Sequence, residues 1–243
     1  MPHEFALSLA STGRLFEEPR SLAVTDGELI HRMTSVLRLE PQDVVIFFDD
    51  TTQYTCIITA LLKKRVVCTI IEIRPIPDIT PHLHWIVPVS SKSSLEDSIY
   101  VLAALRTSTI CVTTTEKSAR FHGSLDRLYA VARAATEQAK SFVMPHIFFA
   151  PFEEALSKNK GDAGYKLFFD PSGTLVSSVL PDITHVSSIQ LLVGPSGDLT
   201  FREKESVKEA GFVSVALTET ILRSEDAIQV ATGIIRACVR SRL

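Results

Sequence analysis

The stretch that decides the fold is LLVGPSGDLTFREKE, which runs from Leu191 to Glu205. Its apolar start ends in GPSG at residues 194–197, and a charged segment of helical composition follows. A strand this apolar is typical of a parallel sheet that helices cover on both faces. Glycines at the carboxyl end of such a strand let a ligand approach backbone amides, and open α/β sheets bind ligands there. The stretch therefore predicts either a ligand-binding loop or a plain turn between strand and helix.

The spacing of the glycines excludes several known sites. A P-loop needs G-x-x-x-x-G-K-[ST] and a dinucleotide loop needs G-x-G-x-x-G, and this stretch matches neither pattern. The G-x-S-x-G elbow of the α/β hydrolases is also missing from the chain. If the loop binds a ligand, it does so in another way.

A second apolar strand, FVSVAL at residues 212–217, ends in the polar turn TETILRSEDA before the last helix. Two such turns within one sheet can wall a common pocket. Arg223, Glu225 and Asp226 open the last helix, where carboxylates favour the positive end of the helix dipole. An exposed charge cluster at a helix start is the alternative interpretation of these three residues.

Upstream, the chain changes character at a proline-rich segment. DVVIFF, YTCIITALL and RVVCTIIEI, between residues 43 and 73, are β-branched and aromatic runs, and DGELIHRMTSVLRL before them has helical periodicity. RPIPDITPH at residues 74–82 carries three prolines and indicates a linker. We therefore predict a small β-rich domain over residues 1–73, a linker over 74–82 and a second domain over 83–243.

The second domain alternates strand-like and helix-like segments, which predicts an α/β fold. LHWIVPV, STICVTT, YKLFFD, IQLLVGP and FVSVAL are the predicted strands. The closing helix, within LRSEDAIQVATGIIRACV, has apolar residues on more than one face, since Val230 and Val239 lie off its main stripe. A homodimer that covers this helix would account for the extra apolar face.

Bulk composition sets limits on function. The 243 residues are 45% hydrophobic and 22% charged, an ordinary globular composition, with a net charge of −3 that gives no general affinity for nucleic acid. No apolar run reaches the ~20 residues of a membrane-spanning helix, and the first residues have no basic leader. The four cysteines are scattered, which argues against a metal site. We expect a cytoplasmic protein without a metal or a membrane partner.

The segments LLVGPSGDLTFREKE and GFVSVALTETILRSEDA resemble the knotted end of the bacterial 16S ribosomal RNA uracil-N3 methyltransferases, of the SPOUT superfamily. The family pattern there is a GPEGG loop, a Glu followed at a distance by Gly-Phe, and LG-x-x-ILR-x-ETA. The matching positions are Gly194, Pro195, Gly197, Glu203, Gly211, Phe212, Leu217, Ile221, Leu222, Arg223, Glu225 and Ala227. This chain is similar to that family as a divergent member.

The resemblance extends to both halves of the chain. HRMTSVLRL is similar to an H-x-x-x-x-VLR signature in an N-terminal RNA-binding domain of PUA type, through His31, Val36, Leu37 and Arg38. ATEQAKSFVMPHI is similar to a family A-x-EQ…P-x-I segment, which includes Gln138, and Lys92 stands where the family has a lysine after its first long strand.

The resemblance implies a fold, a reaction and a set of site residues. The fold would be a small PUA-like β-barrel followed by a SPOUT α/β domain with a trefoil knot, in a homodimer. The reaction would be methyl transfer from S-adenosylmethionine to N3 of a uridine in 16S ribosomal RNA or the small ribosomal subunit. The implied residues are Arg223 and Glu225 for catalysis; Gly194, Pro195, Gly197, Leu217, Ile221 and Leu222 for the cofactor; and His31, Arg38, Lys92 and Gln138 for RNA.

The chain departs from the family pattern at several positions. Ser196 and Asp198 replace the Glu and the second Gly of the loop, and Thr218 replaces the Gly after Leu217. Asp226 replaces a threonine, and Arg106 stands where the family has a glycine. An alternative function follows from these changes: an RNA-binding or ribosome-assembly protein that kept the scaffold and has weak or no catalytic activity.

Overall fold

A computed structural model of the protein describes residues 5–9, 14–18, 20–157, 164–183 and 185–238. The chain forms two compact units. The first extends to Pro77 and also includes Lys140–Val143, and the second comprises Asp78–Ala139 and the chain from Met144 onward.

The first unit is built on a six-stranded sheet of order β1-β4-β5-β6-β3-β2. Only the β1–β4 pair is parallel among the pairs of this sheet. Alternating residues of the strands are buried against a helical segment, so this unit has a core of its own. Its elements are β1 Phe5–Ser8, β2 Arg14–Glu18, β3 Ser21–Val24, α1 Gly27–His31, a π-helix Arg32–Val36, β4 Val44–Phe48, β5 Thr52–Leu62 and β6 Arg65–Pro75.

The helical segment of the first unit starts at a capped residue. The Asp26 carboxylate accepts a hydrogen bond of 2.8 Å from the amide of Leu29, which satisfies a donor that the helix start leaves unpaired. The single helix that the sequence predicted over 26–39 is in fact a short α-helix that continues as a π-helix. Arg38 then turns the chain with a positive φ of 54°.

The second unit is a six-stranded parallel sheet of order β12-β10-β11-β7-β8-β9 with helices on both faces. β11 lies inside this sheet, and all of its residues are buried. Its elements are β7 His82–Pro88, α2 Lys92–Ala104, β8 Thr109–Thr113, α3 Leu125–Ala139, β9 His146–Phe149, α4 Phe152–Ser157, β10 Tyr165–Leu175, a 3-10 turn Val176–Ser178, α5 Leu180–Ile183, β11 Ser188–Val193, α6 Phe201–Glu209, β12 Val213–Ala216 and α7 Ser224–Cys238.

The alternation of side chains along these strands builds two apolar layers. Leu191 and Val193 pack in the layer that α2, α3 and α7 cover, whereas Leu192 packs in the layer of α4 and α6. The α/β prediction is therefore confirmed, and the apolar composition of strands such as β11 has its cause in this double burial. None of the helices in the described part of the chain is both long and apolar enough to cross a membrane.

The structure differs from the sequence prediction in several elements. β9 and α4 were not predicted, because an edge strand of four residues and a helix of six carry too little periodicity. β6 continues to Pro75, two residues into the predicted linker, and residues 140–143 group with the first unit rather than the second. α7 begins at Ser224, since the preceding LR belongs to a loop.

Candidate functional site

A cavity of about 420 Å³ lies at the carboxyl edge of the parallel sheet, where β11 and β12 end, beside residues 169–171 of β10. Its volume is in the range of small-molecule sites, roughly 300–1,000 Å³. Apolar side chains and loop backbone share the wall. The lining residues are Phe169, Asp170, Pro171, Val193, Gly194, Pro195, Ser196, Asp198, Val215, Leu217, Thr218, Thr220, Ile221, Leu222, Arg223, Ser224 and Ala227.

The loop after β11 is a closed turn with a residue in the left-handed region. The Asp198 amide donates to the Pro195 carbonyl at 2.8 Å, and Asp198 has a φ of +60°. Its Oδ1 accepts from the Leu199 amide at 2.7 Å. Asparagine, aspartate and glycine are the residues that adopt this conformation most readily. Asp198 therefore keeps the turn that a glycine would give and anchors it by its own side chain.

The second wall, the loop after β12, is tied to the first by Ser224. The Ser224 Oγ donates to the Gly194 carbonyl at 2.7 Å. Within the second loop, the Thr218 hydroxyl donates to the Thr220 carbonyl at 2.7 Å. Thr218 and Asp198 are two of the departures from the family pattern. The Thr218 hydroxyl and Asp198 Oδ1 are thus bonded inside their own loops.

Arg223 lies at the mouth of the cavity, with 74% of its side chain exposed. Its Nε lies 3.0 Å from Asp226 Oδ2 and its Nη1 lies 3.4 Å from Glu225 Oε1. The hydrogen bond to Asp226, with the negative charges of both carboxylates, raises the pKa of the guanidinium, which stays cationic. Glu225 is more buried than Arg223 and accepts from the Ser94 hydroxyl at 3.3 Å, which joins the starts of α2 and α7.

An ion triad supports the floor of the cavity. Lys204 Nζ lies 2.8 Å from both Asp170 Oδ2 and Asp198 Oδ2, so it bridges β10 and the loop after β11. Asp170 is buried and also accepts from the Ser172 amide and hydroxyl. Burial alone would raise the pKa of Asp170, but the bonds from Lys204 and Ser172 outweigh it and lower that pKa.

α6 starts with a capping box that reaches into a neighbouring loop. The Thr200 hydroxyl accepts from the Glu203 amide, and Glu203 Oε2 accepts from the Thr200 amide. Glu203 Oε1 accepts from the amide of Glu116, in the loop after β8, at 2.8 Å. Burial works against the charged form of Glu203, yet these bonds prevail and lower its pKa. The carboxyl-edge loops of β8 and β11 are therefore connected.

The structure brings most of the predicted cofactor and catalytic residues together. Gly194, Pro195, Leu217, Ile221, Leu222 and Arg223 all line the cavity, and Glu225 pairs with Arg223 at its mouth. Gly197 is not among the lining residues. A Cβ atom at Gly197 would lie 3.1 Å from Lys117 Cβ, so this glycine accommodates the loop after β8.

The predicted RNA-binding residues are divided between the two units. In the first unit, His31 shares a cavity of about 460 Å³ with Lys63 and Lys64, and Arg38 is exposed. In the second unit, Lys92 is the exposed first residue of α2, two positions before the Ser94 that bonds Glu225. Gln138 is exposed on α3 and accepts from the Tyr100 hydroxyl at 3.3 Å.

Sequence reasoning missed the residues that support the cavity. Asp170 and Lys204 lie on different elements, and their pairing is visible only in three dimensions. One signal was available: YKLFFD is followed by the polar residues PSG, as the two strands that were used are followed by polar turns. In the structure these residues belong to β10, at an irregularity in its pairing with β12 between Phe169 and Thr174. Gly173 is required there by close approach, because a Cβ atom would lie 2.5 Å from the backbone of Ser214.

The helix that was expected to carry a subunit contact is only partly described. Val230 on α7 is half-buried, and Val239 lies outside the described residues. Among the residues that the structure describes, no group of three or more His, Cys, Asp and Glu could hold a metal ion.

Comparison with known proteins identifies the family to which the second unit is similar. Residues 79–236 match the family model of the RNA methyltransferase domain. The Ribosomal RNA small subunit methyltransferase E of Bacillus subtilis is 23% identical over 236 residues, which cover 89% of this chain and 90% of that one. The same-named protein of Buchnera aphidicola from Acyrthosiphon pisum is 23% identical over 209 residues, 83% of this chain and 82% of its own.

A solved structure shares the fold. The Ribosomal RNA small subunit methyltransferase E of Neisseria gonorrhoeae, bound to S-adenosyl methionine, superposes with a TM-score of 0.83 at 23% identity. The superposition covers 97% of this chain and 98% of that one.

Proposed function

This chain belongs to the RNA methyltransferase family, as a member of the small subunit methyltransferase E type, and we propose that it methylates N3 of a uridine in 16S ribosomal RNA. The methyl donor would be S-adenosylmethionine, held in the cavity at the ends of β11 and β12 and beside residues 169–171 of β10. The single observation that carries the proposal is that this cavity is lined by Gly194, Pro195 and Arg223, which match the family pattern.

The residues of the cavity fit S-adenosylmethionine in chemistry and in space. Val193, Leu217 and Leu222 offer an apolar wall for the adenine face, and the backbone of the two loops offers donors and acceptors for its edge. Gly194 lines the cavity, and a Cβ atom added there would meet Asp198 Oδ1 at 3.5 Å, an ordinary van der Waals contact. Asp198 is turned toward Lys204 and the Leu199 amide.

The bound donor supplies an electrophilic methyl group, so neither a metal nor a protein nucleophile is needed for the transfer. The protein must align the acceptor, and orientation of this kind contributes roughly 7–11 kcal/mol to such reactions. It must also favour loss of the proton from uridine N3, which is a weak acid. Arg223, cationic at the mouth, stabilises the developing uridinate electrostatically. Its guanidinium does not act as a base, because it does not deprotonate in proteins.

Glu225 and Lys92 complete the mouth of the cavity in this proposal. Glu225 pairs with Nη1 of Arg223, and Asp226 pairs with its Nε. The two carboxylates thereby fix the orientation of the guanidinium. Lys92 begins the helix whose Ser94 bonds Glu225, and it offers a cation to an RNA phosphate. The target base must leave its stack to reach this mouth.

The finer architecture belongs to the same proposal. Residues 1–73 would be a PUA-like barrel that binds RNA, with His31 and Arg38 as contacts, and residues 83–243 would be the SPOUT domain with Gln138 facing the RNA. The last helix would pass through a loop as a trefoil knot. We further propose that the protein is a homodimer in the cytoplasm and that its substrate is 16S ribosomal RNA or the small ribosomal subunit.

The test is a titration followed by product analysis. S-adenosylmethionine should bind the purified protein in a calorimetric titration. Small subunits purified from cells lacking the enzyme should then gain 3-methyluridine, detected by nucleoside analysis, on incubation with the purified protein and S-adenosylmethionine. Methylation at another atom would refute the N3 assignment and leave the methyltransferase. If the donor does not bind at millimolar concentration while RNA does, the alternative of an RNA-binding assembly protein replaces the enzyme.

A further inference from the structure

Two phenylalanines form a stacked pair in a second cavity at the same edge of the sheet. The rings of Phe121 and Phe149 lie 5.7 Å apart between centroids, with 16° between their planes. Phe149 ends the edge strand β9 and is 41% exposed. A ligand that covered the exposed part of this ring would gain from the burial of apolar surface.

The walls around the pair are polar and carry a cation. The cavity has a volume of about 490 Å³ and is lined by Thr114, Thr115, Glu116, Ser118, Ala119, Arg120, Phe121 and Phe149. Arg120 makes no ion pair with any residue that the structure describes, and it is exposed. An aromatic face beside hydroxyl groups and an unpaired guanidinium is the combination that binds unstacked nucleobases.

The loop that lines this cavity also contacts the candidate methyltransferase site. Lys117 packs against Gly197 of the loop after β11, and Glu203 at the start of α6 accepts from the Glu116 amide. The strand order β11-β7-β8-β9 puts three strand spacings, about 14 Å, between the ends of β11 and β9. One RNA loop can span that distance, with Lys117 and Arg120 along its path.

We propose that Phe149, stacked on Phe121, is a platform for an RNA base near the target uridine, with Arg120 binding the adjoining phosphate. The base is read by stacking, which tolerates different bases, while the hydroxyls of the loop contact its edge. The proposal rests on the function proposed above for the choice of RNA as ligand. It adds a second point of attachment, which would hold the splayed strand while the target base enters the other cavity.

The test uses the full-length protein and a short oligouridine that carries a single 2-aminopurine, whose fluorescence is quenched on stacking. Phe149→Leu keeps the apolar volume and removes the stack, so RNA affinity should fall about tenfold and the quenching should be lost. Phe149→Trp should retain both. Arg120→Gln should weaken binding and reduce its salt dependence without abolishing the quenching. Phe201→Leu is the matched control, since Phe201 is 83% exposed on α6 and outside the cavity.

Several outcomes separate this proposal from the function on which it rests. If Phe149→Leu binds S-adenosylmethionine and RNA as the wild type does, the platform is refuted and the methyltransferase stands. If the wild type binds no donor but still quenches the probe through Phe149, the platform stands alone. If Phe149→Leu leaves RNA binding intact and converts a dimer to monomer in sedimentation, the pair is a subunit contact and the proposal is overturned.

Discussion

The hydroxyl of Ser224 donates a hydrogen bond of 2.7 Å to the carbonyl oxygen of Gly194. This bond joins the first residue of α7 to the glycine loop after β11, 30 positions earlier in the chain. Both residues line the cavity, so the bond fixes the distance between its two walls. A backbone carbonyl held in this way cannot rotate away from a ligand.

Removal of that hydroxyl should therefore loosen the cavity without unfolding the protein. Ser224→Ala should weaken S-adenosylmethionine binding about fivefold to tenfold, since a buried hydrogen bond contributes about 1 kcal/mol. Calorimetric titration gives the affinity. Ser157→Ala is the matched control, because its hydroxyl also donates to a carbonyl, that of Glu154, far along the chain from the cavity. Equal affinities for the two variants would contradict a role for the Ser224 bond.

Arg223 should matter for chemistry more than for binding of the donor. Arg223→Ala should lower kcat for methyl transfer by about 100-fold or more, as loss of one transition-state-stabilising donor does elsewhere. The affinity for S-adenosylmethionine should stay within about twofold, because the guanidinium is exposed at the mouth. Arg202→Ala, an exposed arginine on α6, is the control. A variant that loses donor binding and keeps kcat would assign Arg223 to the cofactor instead.

The two glycines of the loop should respond differently to an added methyl group. At Gly194 a Cβ meets nothing closer than 3.5 Å, so Gly194→Ala should fold normally and intrude on the ligand. Overpacking of this kind costs about 1–3 kcal/mol, so donor affinity should fall about tenfold or more. At Gly197 the Cβ lies 3.1 Å from Lys117, outside the cavity lining, so Gly197→Ala should reduce stability more than affinity. Thermal unfolding and titration of both variants separate the two effects.

The sequence predicted the sheet well where burial is strongest. β11 and β7 lie inside the parallel sheet, and their runs of apolar residues could belong to no exposed element. β9 was missed because it is a short edge strand with exposed residues at both ends, where no apolar run develops. The pattern of apolar positions also could not predict that an α-helix changes to a π-helix near Arg32, since both helices bury the same face.

The sequence pointed to the two loops that line the candidate site, because some loop positions need a particular backbone conformation that restricts which residues occur there. Arg106 and Asp198, where the family pattern has glycines, have φ values of +58° and +60°, so these positions need the left-handed conformation whichever residue fills them. The ion pairs of Lys204 could not be predicted from the sequence in this way. The pair with Asp170 joins residues 34 positions apart by charge alone, and only the fold brings them together.

The Lys204 bridge gives the second unit a defined response to pH. The pKa of Asp170 is lowered from 3.8, so its stabilising contribution is complete above about pH 5 and is lost as the pH falls through the folded pKa. The pKa of Lys204 is raised from 10.5, because bonds to Asp170 and Asp198 outweigh its burial, so its contribution persists up to about pH 10 and is lost above that. The free energy of unfolding should therefore have a plateau between these limits.

Lys204→Met should lower that plateau by about 2 kcal/mol, because it leaves the buried Asp170 carboxylate without its cation. The difference from wild type should shrink as the pH falls through the lowered pKa of Asp170, because the protonated carboxyl no longer needs the cation. Urea denaturation across this range measures it, followed by the fluorescence of Trp85. This is the single tryptophan, and it stacks at 5.7 Å on the cavity residue Phe169 in the second unit. Lys208→Met, an exposed lysine of the same helix, should unfold like wild type. If both variants follow the same pH profile, the bridge does not stabilise the floor of the cavity.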